Sequence, residues 1–155
     1  LTTATPSTIT VVVDAADLSA DALEIARRNV ARHQLEKRIT LHQADLFGTL
    51  QGPWDLILCN PPYVNAKSMA KLPPEYRAEP PLALAGGEDG MDLVRRIVRD
   101  APSRMTKDAV LVLEIGHERR HFERAFPKLE FAWLPTSGGD DKVLVATREA
   151  LARIA

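Results

Sequence analysis

The stretch Asp55-Leu56-Ile57-Leu58-Cys59-Asn60-Pro61-Pro62-Tyr63 decides how the rest of the chain is read. Its apolar run, 56–59, predicts a buried strand, and a polar residue and two prolines follow directly. Proline has no backbone N–H and holds the preceding residue in extended geometry, so sheet pairing ends there and the chain turns. The strand therefore ends on a carboxamide, backbone carbonyls and an aromatic ring. In an open α/β sheet, ligands bind at that edge.

Strand and helix patterns alternate on both sides of this stretch. The sequence predicts strands at 9–13, 38–42, 109–115, 129–134 and 142–147, and helices at 20–34, 92–103, 118–126 and 149–154. Ser19 is placed to cap the first of these helices. Most of these strands are apolar throughout, which predicts burial on both faces. The alternation indicates a Rossmann-like α/β fold whose sheet is mostly parallel, with an antiparallel hairpin at the C-terminal end.

Composition favours an ordinary globular domain. The chain has 155 residues and a net charge of −1, which fits one domain, 1–155, behind a disordered leader, 1–8. This charge attracts neither nucleic acid nor a membrane, so we expect no direct binding of either. No apolar run approaches a membrane span. The single cysteine, Cys59, indicates a reduced, cytoplasmic setting, and the four histidines are not spaced as metal ligands.

The run Asn60-Pro61-Pro62-Tyr63 can grip a planar NH₂ group. A simple turn after a strand is the alternative, since Asn and Pro both favour turns. An amide or aromatic NH₂ is a poor nucleophile because its lone pair is delocalised. If the side-chain oxygen of Asn60 and the carbonyl of Pro61 each accept one of its hydrogens, the nitrogen is fixed and its electron density rises. It can then be aimed at an electrophilic methyl group, with Tyr63 packed on the planar substrate.

Two acidic residues follow the first two predicted strands. Asp17 lies where a Rossmann-type sheet accepts hydrogen bonds from ribose hydroxyls, although a helix-capping or solvated role is the alternative. Asp45 has the same relative place after the second strand and can accept from an adenine amine, or be an ordinary loop residue. Leu46 and Phe47 offer apolar contact beside it.

The motif at 60–63 resembles that of the S-adenosylmethionine-dependent methyltransferases that modify planar nitrogens. The block 79–93 (EPPLALAGGEDGMDL) resembles the segment that follows the motif in the bacterial protein-glutamine methyltransferases. That family has one branch acting on peptide-chain release factors and another acting on the third large-subunit ribosomal protein. The runs 133–143 (WLPTSGGDDKV) and 114–117 (EIGH) are more similar to the ribosomal-protein branch.

The resemblance implies roles for individual residues. The catalytic slot for the substrate glutamine would comprise Asn60, Pro61, Pro62 and Tyr63. The cofactor S-adenosylmethionine would be bound by Asp17, Leu18, Asp45, Leu46 and Asn60. The partner would be a ribosomal protein, or alternatively a release factor. A DNA adenine methyltransferase is a third reading, which the lack of a basic stripe disfavours.

One feature departs from the family. Its members bind the methionine part of the cofactor on a Gly-rich loop after the first strand, but this chain has no glycine before Gly48. The predicted strand 9–13 therefore corresponds to the family's second strand. We expect an N-terminally incomplete catalytic domain with unpaired sheet edges that favour self-association. From a different functional class, an inactive fragment or partner-binding remnant is the alternative.

Overall fold

A computed structural model describes residues 10–69 and 83–155 of the chain. The leader 1–8, the start of the first predicted strand and most of the Pro-rich segment lie outside the described residues. The chain divides into two compact units, Leu1–Leu50 and Gln51–Ala155, and each is described by itself. That both belong to one catalytic domain stays a prediction.

The first unit is a strand–helix–strand arrangement. β1 (Val13–Asp17) and β2 (Ile39–Gln43) pair in parallel, with α1 (Ala20–Arg32) between them in the chain. Ser19 caps the helix as predicted: its hydroxyl oxygen accepts a hydrogen bond from the backbone N–H of Ala22 at 3.2 Å.

The predicted first strand, 9–13, was placed too early. The ladder of β1 runs from the pair Val13–Ile39 to the pair Asp17–Gln43. β-Branched side chains favour an extended backbone but do not choose its hydrogen-bonding partner, so the Val-rich run misled the prediction. As a result, Asp17 is the last residue of the strand instead of following it at a distance.

The second unit contains a four-stranded sheet in the order β3-β4-β6-β5. Its strands are β3 (Trp54–Cys59), β4 (Met105–Glu114), β5 (Ala132–Thr136) and β6 (Gly139–Thr147). β3 and β4 are parallel, whereas β6 is antiparallel to both β4 and β5. The α/β fold and its C-terminal antiparallel hairpin are therefore confirmed, whereas the described strands form one two-stranded parallel sheet and one four-stranded mixed sheet.

Four α-helices complete the second unit within the described residues. They are α2 (Ala66–Met69), α3 (Asp92–Asp100), α4 (Arg119–Ala125) and α5 (Arg148–Ala152). The predicted helix 92–103 is α3 followed by a 3₁₀ turn at Ala101–Arg104, where Pro102 interrupts α-helical hydrogen bonding. The short α2 follows the motif and was not predicted. No helix among the described residues is both long and apolar enough to cross a membrane.

One face of the four-stranded sheet carries the core. Along β4, Ala109, Leu111 and Leu113 are buried, while the alternate residues are partly exposed. The buried side chains of the neighbouring elements are Ile57, Val94, Ile97, Val98, Phe122, Leu144, Ala146 and Leu151. Period-two burial of this kind is typical of a sheet covered on one side.

The prediction that the strands are buried on both faces was wrong. On β3, Ile57 is 8% exposed, but its neighbours Leu56 and Leu58 are 50% and 69% exposed. Val12, just before β1, is 70% exposed. An apolar run indicates that both faces of a strand can be buried. Whether both faces are in fact covered depends on other segments of the protein.

Candidate functional site

The Asn-Pro-Pro-Tyr motif stands at the C-terminal end of β3. The ladder with β4 ends at the pair Cys59–Leu113, so Asn60 is the first residue past the paired strand. Asn60 is exposed and Pro61 is buried, which leaves the carboxamide accessible on a fixed backbone. The predicted end of the strand is confirmed.

A cavity of about 290 Å³ opens at this end of the sheet. Its lining residues are Leu58, Cys59, Asn60, Val112, Glu114 and Val143. The lining is thus largely apolar and includes one carboxamide and one carboxylate. A small planar group with an apolar stem fits such a lining, because the stem can contact the valines while the polar end meets oxygen acceptors.

Tyr63 is held by close approach of three glycines. A Cβ on Gly116 would lie 2.4 Å from the Tyr63 ring, and one on Gly90 would lie 2.2 Å from the Tyr63 carbonyl oxygen. A Cβ on Gly86 would lie 2.7 Å from the Tyr63 Cα. No real Cβ could occupy these positions, so the glycines let the chain pack around the tyrosine. Its hydroxyl also donates a long hydrogen bond to Glu114 Oε1 at 3.4 Å.

The backbone beyond the tyrosine is fixed by strand-like pairing. The Val64 N–H donates to the Leu84 carbonyl, and the Gly86 N–H donates to the Val64 carbonyl, both at 2.9 Å. The Gly86 carbonyl in turn accepts from the Asp92 N–H at 3.0 Å, at the first residue of α3. The segment 84–90, which we call the glycine-rich segment, therefore supports the motif directly.

Asp89 anchors this segment to α3. Its Oδ1 accepts from the Met91 N–H at 3.0 Å, and both of its oxygens engage the Arg95 guanidinium. The hydrogen bonds from Arg95 lower the pKa of the Asp89 carboxyl, and the opposite charge adds to the effect. A charge-assisted pair between Asp89 and Arg95 thus fixes the end of the segment to the start of α3.

Cys59 lines the cavity but is not activated. Burial raises the pKa of its thiol to about 11, so at neutral pH the sulfur is protonated and a poor nucleophile. In this environment Cys59 contributes packing and not nucleophilic chemistry.

The predicted cofactor residues of the first unit lie at one sheet edge. Asp17 ends β1 beside Gln43, and Asp45 follows β2 by two residues. Asp17 Oδ1 accepts from the Ser19 N–H at 2.7 Å, while the cap of α1 is Ser19 itself. A carboxylate has several acceptor positions, so this bond leaves capacity for ribose hydroxyls.

Apolar side chains accompany both acids. Leu18 follows Asp17, and its carbonyl accepts from the Gln43 side chain at 3.3 Å. Leu46 has a left-handed backbone, with φ of +52°, and such uncommon geometry recurs where loops bind ligands. This edge of the first unit therefore carries two carboxylates, each followed directly by a leucine.

Sequence reasoning missed residues that support the motif through side chains. Asn65 and Glu118 belong to no recognisable pattern, and their bond joins positions 53 apart in the chain. Glu114 begins the run 114–117, but that run does not indicate its contact with Tyr63, 51 positions away. A buried polar residue has no sequence signature of its own. Among the described residues, no group of His, Cys, Asp and Glu forms a cluster that could hold a metal ion.

Curated proteins named as ribosomal protein uL3 glutamine methyltransferases are similar to this chain over most of its length. It is 60% identical over 140 residues to the ribosomal protein uL3 glutamine methyltransferase of Bordetella pertussis, covering 90% of this chain and 47% of that protein. The Burkholderia pseudomallei protein of the same name is 52% identical over 151 residues, covering 92% and 49%. The Francisella tularensis protein is 41% identical over 138 residues, covering 88% and 44%. The chain thus spans about half the length of these relatives.

A family model and solved structures agree on the fold. The family described as "Methyltransferase small domain" matches residues 2–72. A methyltransferase from Pyrococcus furiosus superposes with a TM-score of 0.58 at 14% identity, covering 88% of this chain and 62% of the other. A methyltransferase from Geobacter sulfurreducens gives 0.52 at 19% identity, covering 88% and 58%. The chain therefore has the Rossmann-like methyltransferase fold, and by sequence it is a relative of the uL3 glutamine methyltransferases.

Proposed function

We propose that the chain is the catalytic part of a methyltransferase that modifies the side-chain amide of a glutamine in ribosomal protein uL3. The observation that carries the proposal is the exposed Asn60 at the end of β3, which lines a cavity, within a sequence 60% identical to a uL3 glutamine methyltransferase. A cytoplasmic location belongs to the same proposal, because the substrate would be a ribosomal protein.

The motif would act by gripping the substrate nitrogen. The Asn60 side-chain oxygen and the Pro61 carbonyl would each accept one hydrogen of the glutamine NH₂. Localising the nitrogen lone pair in this way makes the amide a better nucleophile and aims it in one direction. Pro62 would keep the turn rigid, and Tyr63, held by its glycines, would cover the planar amide.

The methyl donor would be S-adenosylmethionine. It supplies a sulfonium methyl group, so a nitrogen–carbon bond forms while the sulfur–carbon bond breaks and the sulfur takes that electron pair as a thioether. The amide proton leaves to water afterwards, so no strong base is needed. Asp17 would accept from the ribose hydroxyls and Asp45 from the adenine amine, with Leu18 and Leu46 against the ring.

The test is methyl transfer to purified proteins. The chain, labelled S-adenosylmethionine and ribosomal protein uL3 are incubated together, and mass spectrometry locates the methyl group. The proposal predicts one methylated glutamine side chain in uL3. Transfer to a peptide-chain release factor instead would favour the alternative branch. No transfer to either, by a chain shown to be folded, would favour the inactive or partner-binding remnant.

A matched pair of variants assigns the chemistry to the motif. Asn60→Ala removes the proposed acceptor, whereas Asn29→Ala removes an exposed carboxamide from α1. We expect Asn60→Ala to reduce turnover far more than cofactor affinity and Asn29→Ala to change neither. Equal losses of turnover and affinity in Asn60→Ala would contradict the gripping role.

A further inference from the structure

A buried polar pair joins the motif loop to the loop after β4. Asn65 is 8% exposed and Glu118 is 7% exposed, and they are the buried polar or charged residues of the described part of the chain. The Asn65 Nδ2 donates to Glu118 Oε1 at 2.6 Å. A buried carboxylate is costly unless it is hydrogen-bonded, so this contact constrains both side chains.

Each polar end of the pair has a second partner. The Asn65 Oδ1 accepts from the Ser68 N–H at 2.9 Å, at the start of α2. The other Glu118 oxygen contacts His121 Nδ1 at 2.5 Å, one turn along α4. A continuous series of side-chain contacts, Ser68–Asn65–Glu118–His121, therefore links the segment after the motif to α4.

The same two loops also meet at the tyrosine. Tyr63 lies two residues before Asn65, and its ring packs on Gly116, which lies two residues before Glu118. The Tyr63–Gly116 contact and the Asn65–Glu118 hydrogen bond thus join the motif loop to the loop after β4 at two neighbouring places. The backbone between them, at Val64, is paired on its other side with Leu84 and Gly86. A loop held at three places can present Asn60 in one geometry.

We propose that Glu118 is a positioning residue for the motif loop, acting through Asn65. Both of its carboxylate oxygens have partners within the protein, so it is placed to hold the loop and not to touch the reacting atoms. The inference rests on the proposed function, because it assigns Glu118 a part in the same glutamine slot. A purely structural carboxylate would stabilise the fold without changing turnover of the folded enzyme.

A reversal of the hydrogen bond tests the pair. Asn65→Asp places two carboxylates face to face in a buried position, which removes the donor and adds repulsion. The double variant Asn65→Asp with Glu118→Gln restores the bond with its direction reversed. Glu123→Ala is the matched control, since Glu123 is an exposed carboxylate on α4 that pairs with Arg119 at 2.8 Å.

Two readouts separate loop order from catalysis. The first is hydrogen exchange, by NMR, of the Val64 and Gly86 amides, which report the pairing beside the motif in the chain without substrate. The second is kcat and KM for methyl transfer to uL3. In Asn65→Asp we expect the Val64 and Gly86 amides to exchange at least about tenfold faster than in wild type, and kcat to fall by a similar factor. The reason is that the variant leaves a buried polar group without its hydrogen bond. The double variant should recover to within about threefold in both, and Glu123→Ala should match wild type.

The outcomes are distinct. Unchanged exchange and unchanged kcat in Asn65→Asp would overturn the proposal, as would a folded double variant without recovery. Faster exchange with normal kcat would overturn the positioning role. If Asn65→Asp does not fold, Glu118→Met alone, which keeps a similar volume and removes the acceptor of the Asn65 amide, is judged by the same criteria. If wild type transfers no methyl group, the proposed function fails, while the exchange experiment still decides whether Glu118 holds the loop.

Discussion

Replacing Gly90 with alanine should destabilise the protein at its motif loop. Gly90 has φ of +80°, and a Cβ there would lie 2.2 Å from the Tyr63 carbonyl oxygen and 3.4 Å from the Asn65 N. The first contact is with backbone, so no side-chain rotation relieves it. The chain must shift either the glycine-rich segment or the motif loop, and both carry the hydrogen bonds that fix Val64.

The expected magnitude follows from two separate penalties. A non-glycine residue in the left-handed region costs about 1 to 2 kcal/mol, and overpacking costs about 1 to 3 kcal/mol. Together they predict a loss of about 2 to 5 kcal/mol in the free energy of unfolding. For a protein of this size the melting midpoint should fall by about 5 to 15 °C.

The control is Gly138→Ala in the turn between β5 and β6. A Cβ there would meet nothing closer than Thr136 Oγ1 at 3.6 Å, and Gly138 is not among the residues of positive φ. Its unfolding free energy should change by less than about 0.5 kcal/mol. Urea unfolding followed by circular dichroism measures both variants. A Gly90→Ala variant as stable as Gly138→Ala would refute the argument that the glycine permits close approach.

Three further outcomes follow from the electrostatics and exposed surfaces. Burial raises the pKa of the Cys59 thiol from 9.0 to about 11, so alkylation of this thiol by iodoacetamide at pH 8 should be about 100-fold slower in the folded than in the unfolded protein. Mass spectrometry measures both rates, and equal rates would contradict the burial of Cys59. The hydrogen bonds from Arg95 lower the pKa of Asp89, so Arg95→Ala should reduce the free energy of unfolding most at pH values above 3.8, the unfolded-state pKa. The reduction should shrink as pH falls through the lower folded-state pKa of Asp89. Urea unfolding of both proteins above pH 3.8 and well below it measures the two losses, and equal losses would contradict the prediction. The exposed Leu58 on β3 should promote self-association, which Leu58→Lys should reduce in sedimentation velocity; a monomer at every wild-type concentration would count against the prediction.

Local patterns were enough to predict the element types and the motif. The Leu-Ile-Leu-Cys run, followed by Asn60 and two prolines, determines both a strand and its end, since the prolines cannot continue the ladder. Helix α3 was likewise predictable, because its apolar residues recur at helical spacing and a charged residue begins it.

Properties that depend on distant partners were not predictable. The exposure of Leu56 and Leu58 depends on what covers the sheet, which an apolar run does not state. The bond between Asn65 and Glu118 joins positions 53 apart, and neither residue belongs to a pattern. The left-handed backbone of Leu46 is set by its loop and not by its residue type.

We propose that Asn60 acts mainly on the substrate nitrogen, with only a small share in cofactor binding. The most direct measurement pairs kcat for glutamine methylation with a calorimetric titration of S-adenosylmethionine, in wild type and Asn60→Ala. We expect kcat to fall about 100-fold or more, as for loss of one preorganised hydrogen-bonding group, while the cofactor Kd changes by less than about threefold. A variant that keeps its turnover, or loses cofactor affinity in proportion to turnover, would contradict it.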